Sequence, residues 1–506
     1  MELLFDREQI HYFERVADVT LCQEETLEAI VPDACPDILR IVQVCGQAYL
    51  TGKQAREGAA GVSGTVRASI LYQPEGGEGL KCMEASLPFS AQAEASGFTS
   101  QGQVTAAVRL RWAEARVLNP RKVLLRADLA IDIAAFQPVD LDVCQGILEG
   151  EEQGVQQQLQ QQEADQLCAV EEKPFSFSEQ LRVSGNQALA KILSLRAEPV
   201  CSECKLIGAK LIFKGEVNVQ MLYQGEDGTL MAQRQSLPFS QTMEAGGAGE
   251  DGECRVLVVL SELEGRPSED GRLVDLDLEL LAQAEVRCRR TLNLLRDAYS
   301  TAKQMDVKQA VYTFQRLEED STRPQNVREL LETPSLARSV VDAWVALGET
   351  TRSREGEQMV LTVEACLTVL FLDEEDMLQS IQKTFPVSVR VDCPEGRTCL
   401  CSCQCPDEVF AAPSAGGVEV RFNVNFHCMT LSPQRVSCVS SAQLGEERSR
   451  PDGSQPSVVL RLALPGEGLW DIAKAYGTTS QEIVQANELE EGPLPSGRML
   501  LIPRVR

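Results

Sequence analysis

Gly64 to Ser90 reads GTVRASILYQPEGGEGLKCMEASLPFS, and Gly215 to Ser240 reads GEVNVQMLYQGEDGTLMAQRQSLPFS. Leu-Tyr-Gln at 71 to 73 returns at 222 to 224, and Leu-Pro-Phe-Ser at 87 to 90 returns at 237 to 240. A looser third copy has Leu370-Phe371 in place of Leu-Tyr and Phe385-Pro386-Val387-Ser388 in place of Leu-Pro-Phe-Ser. Leu222 to Leu370 and Leu237 to Phe385 are both spacings of 148 residues, so the unit repeats with a constant period. Self-similarity at a fixed period means that one supersecondary unit has been copied, and the fold is read from that unit.

Each copy carries a long alternating run downstream: Val123 to Ile133, Leu273 to Leu280 and Val418 to Phe426. In the last, Val418, Val420, Phe422, Val424 and Phe426 fall on one side and Glu419, Arg421, Asn423 and Asn425 on the other, the two-residue period of a half-buried strand. Gly-rich loops at Pro74 to Gly79 and Gly225 to Gly228 turn the hairpins. Upstream, 37–42, 188–193 and 335–340 read as short helices, each with a basic residue near the same place. The unit is therefore mainly β with short helices, a strand-rich, sandwich-like module present three times. The expected boundaries are 12–140, 175–302 and 322–444, with a polar Gln-rich linker or weak surface helix at 141–174 that contains Gln156 to Gln162. A second linker, 445–457, is rich in Ser, Pro, Gly and charge, and predicts a tethered C-terminal domain at 458–504 with some freedom of movement.

The three-copy pattern resembles the SPOCS domain family of clostridial spore coat proteins over most of residues 12 to 442. The resemblance implies a spore-associated protein with no catalytic residues and no cofactor.

The C-terminal run Pro465-Gly466-Glu467-Gly468-Leu469-Trp470-Asp471-Ile472-Ala473-Lys474-Ala475-Tyr476-Gly477 is a Pro-Gly turn opening a helix. Leu469, Ile472, Ala473 and Tyr476 form one apolar helix face, and Gly477 stands where a left-handed C-cap belongs. Thr479 and Glu482 have capping-box spacing for a second helix, and 460–464 and 499–502 supply two strands. With Asn487, Leu489, Pro495, Gly497, Leu500 and Pro503, this stretch looks like a βααβ LysM domain. The resemblance implies a ligand or partner groove lined by Pro465, Gly466, Glu467, Gly468, Leu469, Asn487, Pro495, Gly497 and Arg498. Glu467 and Gly468 stand where Asp and Thr are usual, which removes a sugar-facing hydroxyl but leaves the fold intact, because Gly at an N-cap costs only a few tenths of a kcal/mol.

SPOCS-like modules followed by LysM resemble the architecture of clostridial coat morphogenetic proteins. That implies a scaffold made in the mother-cell cytoplasm that binds a SpoIVA-type coat ATPase through its LysM domain, recruits other coat proteins and helps the coat to encase the forespore. The alternative is a peptidoglycan binder of the cell wall or spore cortex.

Composition narrows the remaining classes. The 506 residues are 43% hydrophobic and 24% charged, a globular composition large enough for several cores. Seventy-five acidic against 48 basic residues leave a net charge of −27, which repels nucleic acid and anionic lipid. Charges from Glu2 to Asp18 exclude a signal peptide, and no apolar run is long enough for a transmembrane segment.

Only His11 and His427 exist, so a Ser-His-Asp or Cys-His device would rest on one of them, and His427, ending a strand, reads as structural. No phosphate-binding loop is present. Among 18 cysteines, Cys399, Cys401, Cys403 and Cys405 alternate along one strand face. They read as free thiols, cross-links or weak metal candidates, tetrahedral closure from one flat strand being awkward.

Overall fold

In the computed structural model, residues 3–76, 79–184, 187–246, 252–448, 458–464, 466–489 and 497–503 are described. The first copy comprises β1 (Leu4–Ile30), β2 (Ile38–Arg56), β3 (Ala59–Pro74), β4 (Lys81–Glu94), β5 (Gln103–Asn119) and β6 (Lys122–Leu148). The second comprises β7 (Val155–Arg182), β8 (Leu189–Ile207), β9 (Lys210–Gly225), β10 (Leu230–Glu244), β11 (Glu253–Pro267) and β12 (Leu273–Ser300). The third comprises β13 (Lys303–Glu332), β14 (Ala337–Glu355), β15 (Gln358–Asp373), β16 (Leu378–Asp392), β17 (Thr398–Gln404), β18 (Phe410–Ser414) and β19 (Gly417–Glu447).

All three share one topology. The second, third and fourth strands form a meander, and the last long strand pairs antiparallel with the first and with the strand that precedes it. The two layers of each copy enclose a core of inward residues, such as Tyr72, Leu125 and Ile70 in the first and Tyr223, Phe213 and Leu278 in the second. The alternating runs form the central strands β6, β12 and β19 as the sequence predicts.

The three segments expected to be helices are instead the starts of β2, β8 and β14. Register slips occur between Ile38 and Arg40 and again between Ile41 and Gln43, with counterparts at Leu189/Lys191 and Ile192/Ser194, and at Ala337/Ser339 and Val340/Asp342. Two bulges three residues apart convert a two-residue period into a three-residue one, which imitates a helix face. Ile38, Ile41 and Val44 thereby pack on the same core. The bulged residues Val42, Leu193 and Val341 are aimed elsewhere and meet in a separate cluster with Leu71, Leu222 and Leu370. Like positions of the three copies thus converge on one axis, an arrangement with threefold pseudosymmetry. The repeated Leu of Leu-Tyr-Gln belongs to that axis. The Tyr beside it faces its own module, where Tyr72 Oη donates to Pro36 O (3.1 Å) and Tyr223 Oη to Ser184 O (2.8 Å).

The second repeated motif has a similar logic. Phe89 lies opposite Gly64 and Phe239 opposite Gly215, and a Cβ on Gly64 would come within 2.3 Å of the Phe89 ring. The third copy replaces both members, placing Val387 opposite Val363.

The long outer strands run past the sandwiches. Bulges at Arg15/Ala17, Val286/Arg287 and Leu317/Glu319 mark the bend, beyond which three two-stranded ribbons close on Ile10, Val143, Leu292, Leu294, Phe314 and Val436. The Gln-rich segment expected as a linker belongs to one of these ribbons: β7 includes Gln156 to Gln162, paired with β12. Its side chains are polar on both faces, so nothing in its own periodicity announces a strand. The partner Leu292 and Leu294 supply the apolar face.

The last unit has β20 (Val458–Leu462), α1 (Leu469–Tyr476), α2 (Ser480–Asn487) and β21 (Met499–Pro503) around Ile472, Ala473, Ile483, Leu500 and Ile502. Gly477 caps α1 at φ 67°, and Thr479 and Glu482 exchange the two bonds of a capping box, both as the sequence predicts. No helix among the described residues is long and apolar enough to cross a membrane.

Candidate functional site: the groove of the C-terminal unit and its mount

The loops entering α1 and β21 lie side by side because Gly497 N donates to Ala463 O (3.1 Å) and Ala463 N to Arg498 O (2.9 Å). Gly466 and Gly497, at φ 79° and 78°, make turns that a side chain would strain. Gly468 is the N-cap of α1. With no side chain to offer, it leaves only half a capping box, its N–H donating to Asp471 Oδ2 (3.2 Å). Pro465 and Pro495 lie outside the described residues.

Three expected groove residues hold the fold together instead. The Glu467 carboxylate pairs with Arg461 and accepts from Leu464 N (3.2 Å), bracing the turn from the inside. The Asn487 amide donates to Leu501 O (2.6 Å) and accepts from Leu501 N (2.6 Å), pinning α2 to β21. Leu469 packs on the small core. Among the described groove residues, Gly466, Gly468, Gly497 and the exposed Arg498, whose described bond is to Asn487 O at 3.3 Å, remain free to meet a ligand. The described part of the rim is glycine-lined and cationic at Arg498.

The expected tether is a fixed mount. Asp297, at the end of β12, accepts from Trp470 Nε1 (2.8 Å) and pairs with Lys474 Nζ (2.7 Å). Tyr299 Oη donates to Thr478 O (2.7 Å), and its ring meets Trp470 edge-on at 4.8 Å. The apolar ring and polar tip of Tyr299 let one residue serve both the C-terminal core and the interface. Nothing in the polar stretch 445–457 signals this. The only sequence cue is Asp297-Ala298-Tyr299 at the end of a strand otherwise rich in Leu.

Cys399, Cys401 and Cys403 do share a face of β17, directed with Cys405 at the third module's core. Cys401 stands opposite Cys428, and its Sγ is 4.0 Å from that of Cys403. Burial pushes the Cys399 thiol up to about 11 and that of Cys405 to about 12. The four are free thiols, and among the described residues no three His, Cys, Asp or Glu side chains converge as metal ligands. A disulfide joins Cys168, the bulged residue of β7, to Cys288.

Neither histidine is set up as a base. His11 is exposed beside Asp140, and His427 is bonded to Thr322 Oγ1 (2.7 Å), with burial first and Arg255 second lowering its pKa.

Where the three copies adjoin, a cavity of about 1160 Å³ opens. Asp342, buried, pairs there with Arg196 (2.7 Å) and Arg234 (3.3 Å) across two copies, while Arg196 stacks 3.6 Å from the Trp344 ring centroid. Glu198 faces the cavity rather than protein partners. Glu198 is exposed only to this cavity, and desolvation by the surrounding modules pushes its carboxyl up to about 7, against the pull of Arg109 and Arg196.

Comparison with known families assigns both kinds of unit. Residues 37–118 and 189–265 match the family described as SipL, SPOCS domain, and residues 465–503 match the LysM domain. The third copy is outside the matched residues and is related to the others by its topology. No curated protein and no solved structure matches the chain. The chain thus carries SPOCS and LysM domains, both non-catalytic binding domains. Together they point to a sporulation-related protein with a peptidoglycan-binding type of module.

Proposed function

We propose that the protein is a non-enzymatic scaffold of the spore coat, in which the LysM groove holds a SpoIVA-type coat ATPase while the SPOCS body recruits other coat proteins. The observation that carries this reading is the groove itself. Its rim offers glycine backbone and the Arg498 guanidinium but no side-chain hydroxyl at Gly468, a surface better matched to a protein carboxylate or backbone than to a glycan chain. The mount on Asp297 and Tyr299 gives the groove a fixed direction relative to the body. A rigid link of this kind raises the effective concentration of whatever the body holds next to whatever the groove holds. On this reading the protein works in the mother-cell cytoplasm, at the forespore surface.

The LysM type of the domain favours the second reading, binding of N-acetylglucosamine polymers in wall or cortex. The full chain and its Arg498→Ala variant are tested for retention of a purified SpoIVA-type ATPase and, in parallel, of purified peptidoglycan. Retention of the ATPase, weakened at least about fivefold by the variant, supports the proposal; a loss near 1 kcal/mol is the size of one exposed charged hydrogen bond. Retention of peptidoglycan alone replaces it with the second reading.

A further inference from the structure

In β20 and β21 the two-residue period places Ala463, Leu500 and Ile502 inward. The positions that should face water carry Val458, Leu460, Leu462, Leu464, Met499 and Leu501. Leu460 lies opposite Leu501 and Leu462 opposite Met499, so these side chains form one continuous face. Leu460 and Met499 keep 65% and 57% of their surface exposed. Of the 19 exposed large apolar side chains among the described residues, six are in this two-stranded sheet and the residue that extends it, Leu464, while the others are scattered over the rest of the molecule. An antiparallel sheet with one solvated face normally alternates apolar and polar residues, and strands apolar on both faces are normally covered on both. A two-stranded sheet is also marginal by itself.

No described residue of the chain covers this face, whose side chains keep 41–65% of their surface exposed. Of the nearby stretches outside the described residues, Ser449 to Ser457 carries no large apolar side chain, and Glu490 to Ser496 and Arg504 to Arg506 carry one each, Leu494 and Val505. The face borders the groove loops only at Leu464 and Met499, and it stays exposed although α1 is held at Asp297. Among the described residues it carries no charged side chain, so it offers no handle for a partner chosen by charge. Its area is roughly 500 Å², at the upper end of the largest apolar patch on ordinary monomers. Two such faces together bury about 1,000 Å², the lower bound for a specific interface.

We propose that this face is an isologous dimer interface, in which the two-stranded LysM sheet of one chain stacks on that of a second copy as a four-stranded sandwich, with sheets about 10 Å apart. Because the chain carries −27, two copies repel at long range while their contact is uncharged. Salt therefore strengthens this association, whereas it would weaken binding to a basic partner.

The test is sedimentation velocity of the full chain from about 1 to 100 µM, in low salt and in about 0.5 M NaCl, with no other protein present. The expected result is a reversible dimer whose fraction rises with concentration and with salt. Leu462→Glu combined with Met499→Glu should abolish it, and Leu460→Gln should weaken it at least about tenfold. Thermal melting checks that each variant stays folded, and Leu460→Gln decides the matter if the double variant does not. A monomer at every concentration, a dimer dispersed by salt, or a dimer unchanged in folded variants would each overturn the proposal. The assay is independent of the groove reading, since it contains neither ATPase nor glycan.

Discussion

Asp297→Ala should detach the LysM domain without unfolding it. The carboxylate receives the Trp470 indole N–H at 2.8 Å and the Lys474 ammonium at 2.7 Å, while its own side chain is largely covered. Lys474 is 41% exposed, so solvent screening reduces that pair to about 0.5 to 1 kcal/mol. The indole hydrogen bond contributes about 1 kcal/mol, because its loss leaves a half-buried donor unmatched. The sum, roughly 1.5 to 2 kcal/mol, shifts the docked-to-undocked ratio about 10- to 30-fold. The Ile472 and Ile483 core and the Thr479 capping box are untouched, so the domain stays folded. Arg448, which packs against Gly477, loses that cover while keeping its bonds to Ala302 O and Lys303 O, and becomes a more accessible tryptic site just before the polar connection. When opening is fast relative to cleavage, proteolysis follows the open population, so the C-terminal fragment should appear about tenfold faster. Lys474→Met, which removes only the ion pair, should give a smaller increase. A cleavage rate within twofold of the parent would refute the mount, and loss of LysM folding along with it would refute the independence of the two.

Other expectations test the body. Asp342→Ala takes from the part-buried Arg196 its only described carboxylate partner, leaving it Gln220, while Arg234 keeps Glu408, and should cost about 3 kcal/mol in denaturant unfolding, the low end for breaking a buried pair. Glu198 has its carboxyl raised from 4.5 to about 7 in the folded state, so the folded chain holds more protons than the unfolded one between those values. Its contribution to stability is therefore present below about pH 4.5 and is lost as pH rises to about 7, and Glu198→Gln should flatten that slope in melts taken across the window. Gly64→Val should destabilise by about 1 to 3 kcal/mol through collision with Phe89 and the Tyr49 carbonyl. Adding Phe89→Val should recover part of that loss, and a double-mutant cycle that finds the two changes additive would contradict the Gly-Phe pairing seen in the first two copies.

The repeat, the strand class and the LysM unit were legible because each rests on a local signal: a recurring motif, a clean two-residue alternation, or caps at fixed spacing. Gly477, Thr479 and Glu482 occupy the roles their spacing predicts. The errors share a different cause. At Ile38 to Val44 a pair of bulges serves two cores at once, and the resulting three-residue period is indistinguishable in sequence from a helix face. At Gln156 to Gln162 the strand borrows its apolar side from β12, so the information lies more than a hundred residues away. Among the groove residues, Glu467 and Asn487 looked available because motif positions do not reveal hydrogen bonds turned inward. The mount on Asp297 and Tyr299 and the cavity around Glu198 arise only from the placement of distant strands, and no local pattern announces them.

The pairing of each copy's first strand with its last also bears on how the chain reaches this state. Leu4 finds its partner only at Leu148, and Lys303 only at Glu447. At about 5 to 20 residues per second, a ribosome needs roughly 7 to 30 s to deliver the second strand after the first. Throughout that interval β1 presents an unpaired edge of 27 residues, on which Glu14, Arg15, Asp18, Glu24 and Glu25 are spaced as charges that discourage intermolecular pairing. Once β12 and β19 emerge, they offer the same kind of edge in the same topology as β6. A nascent chain held open too long is thereby exposed to exchange of final strands between copies, within one polypeptide or between neighbours on a polysome.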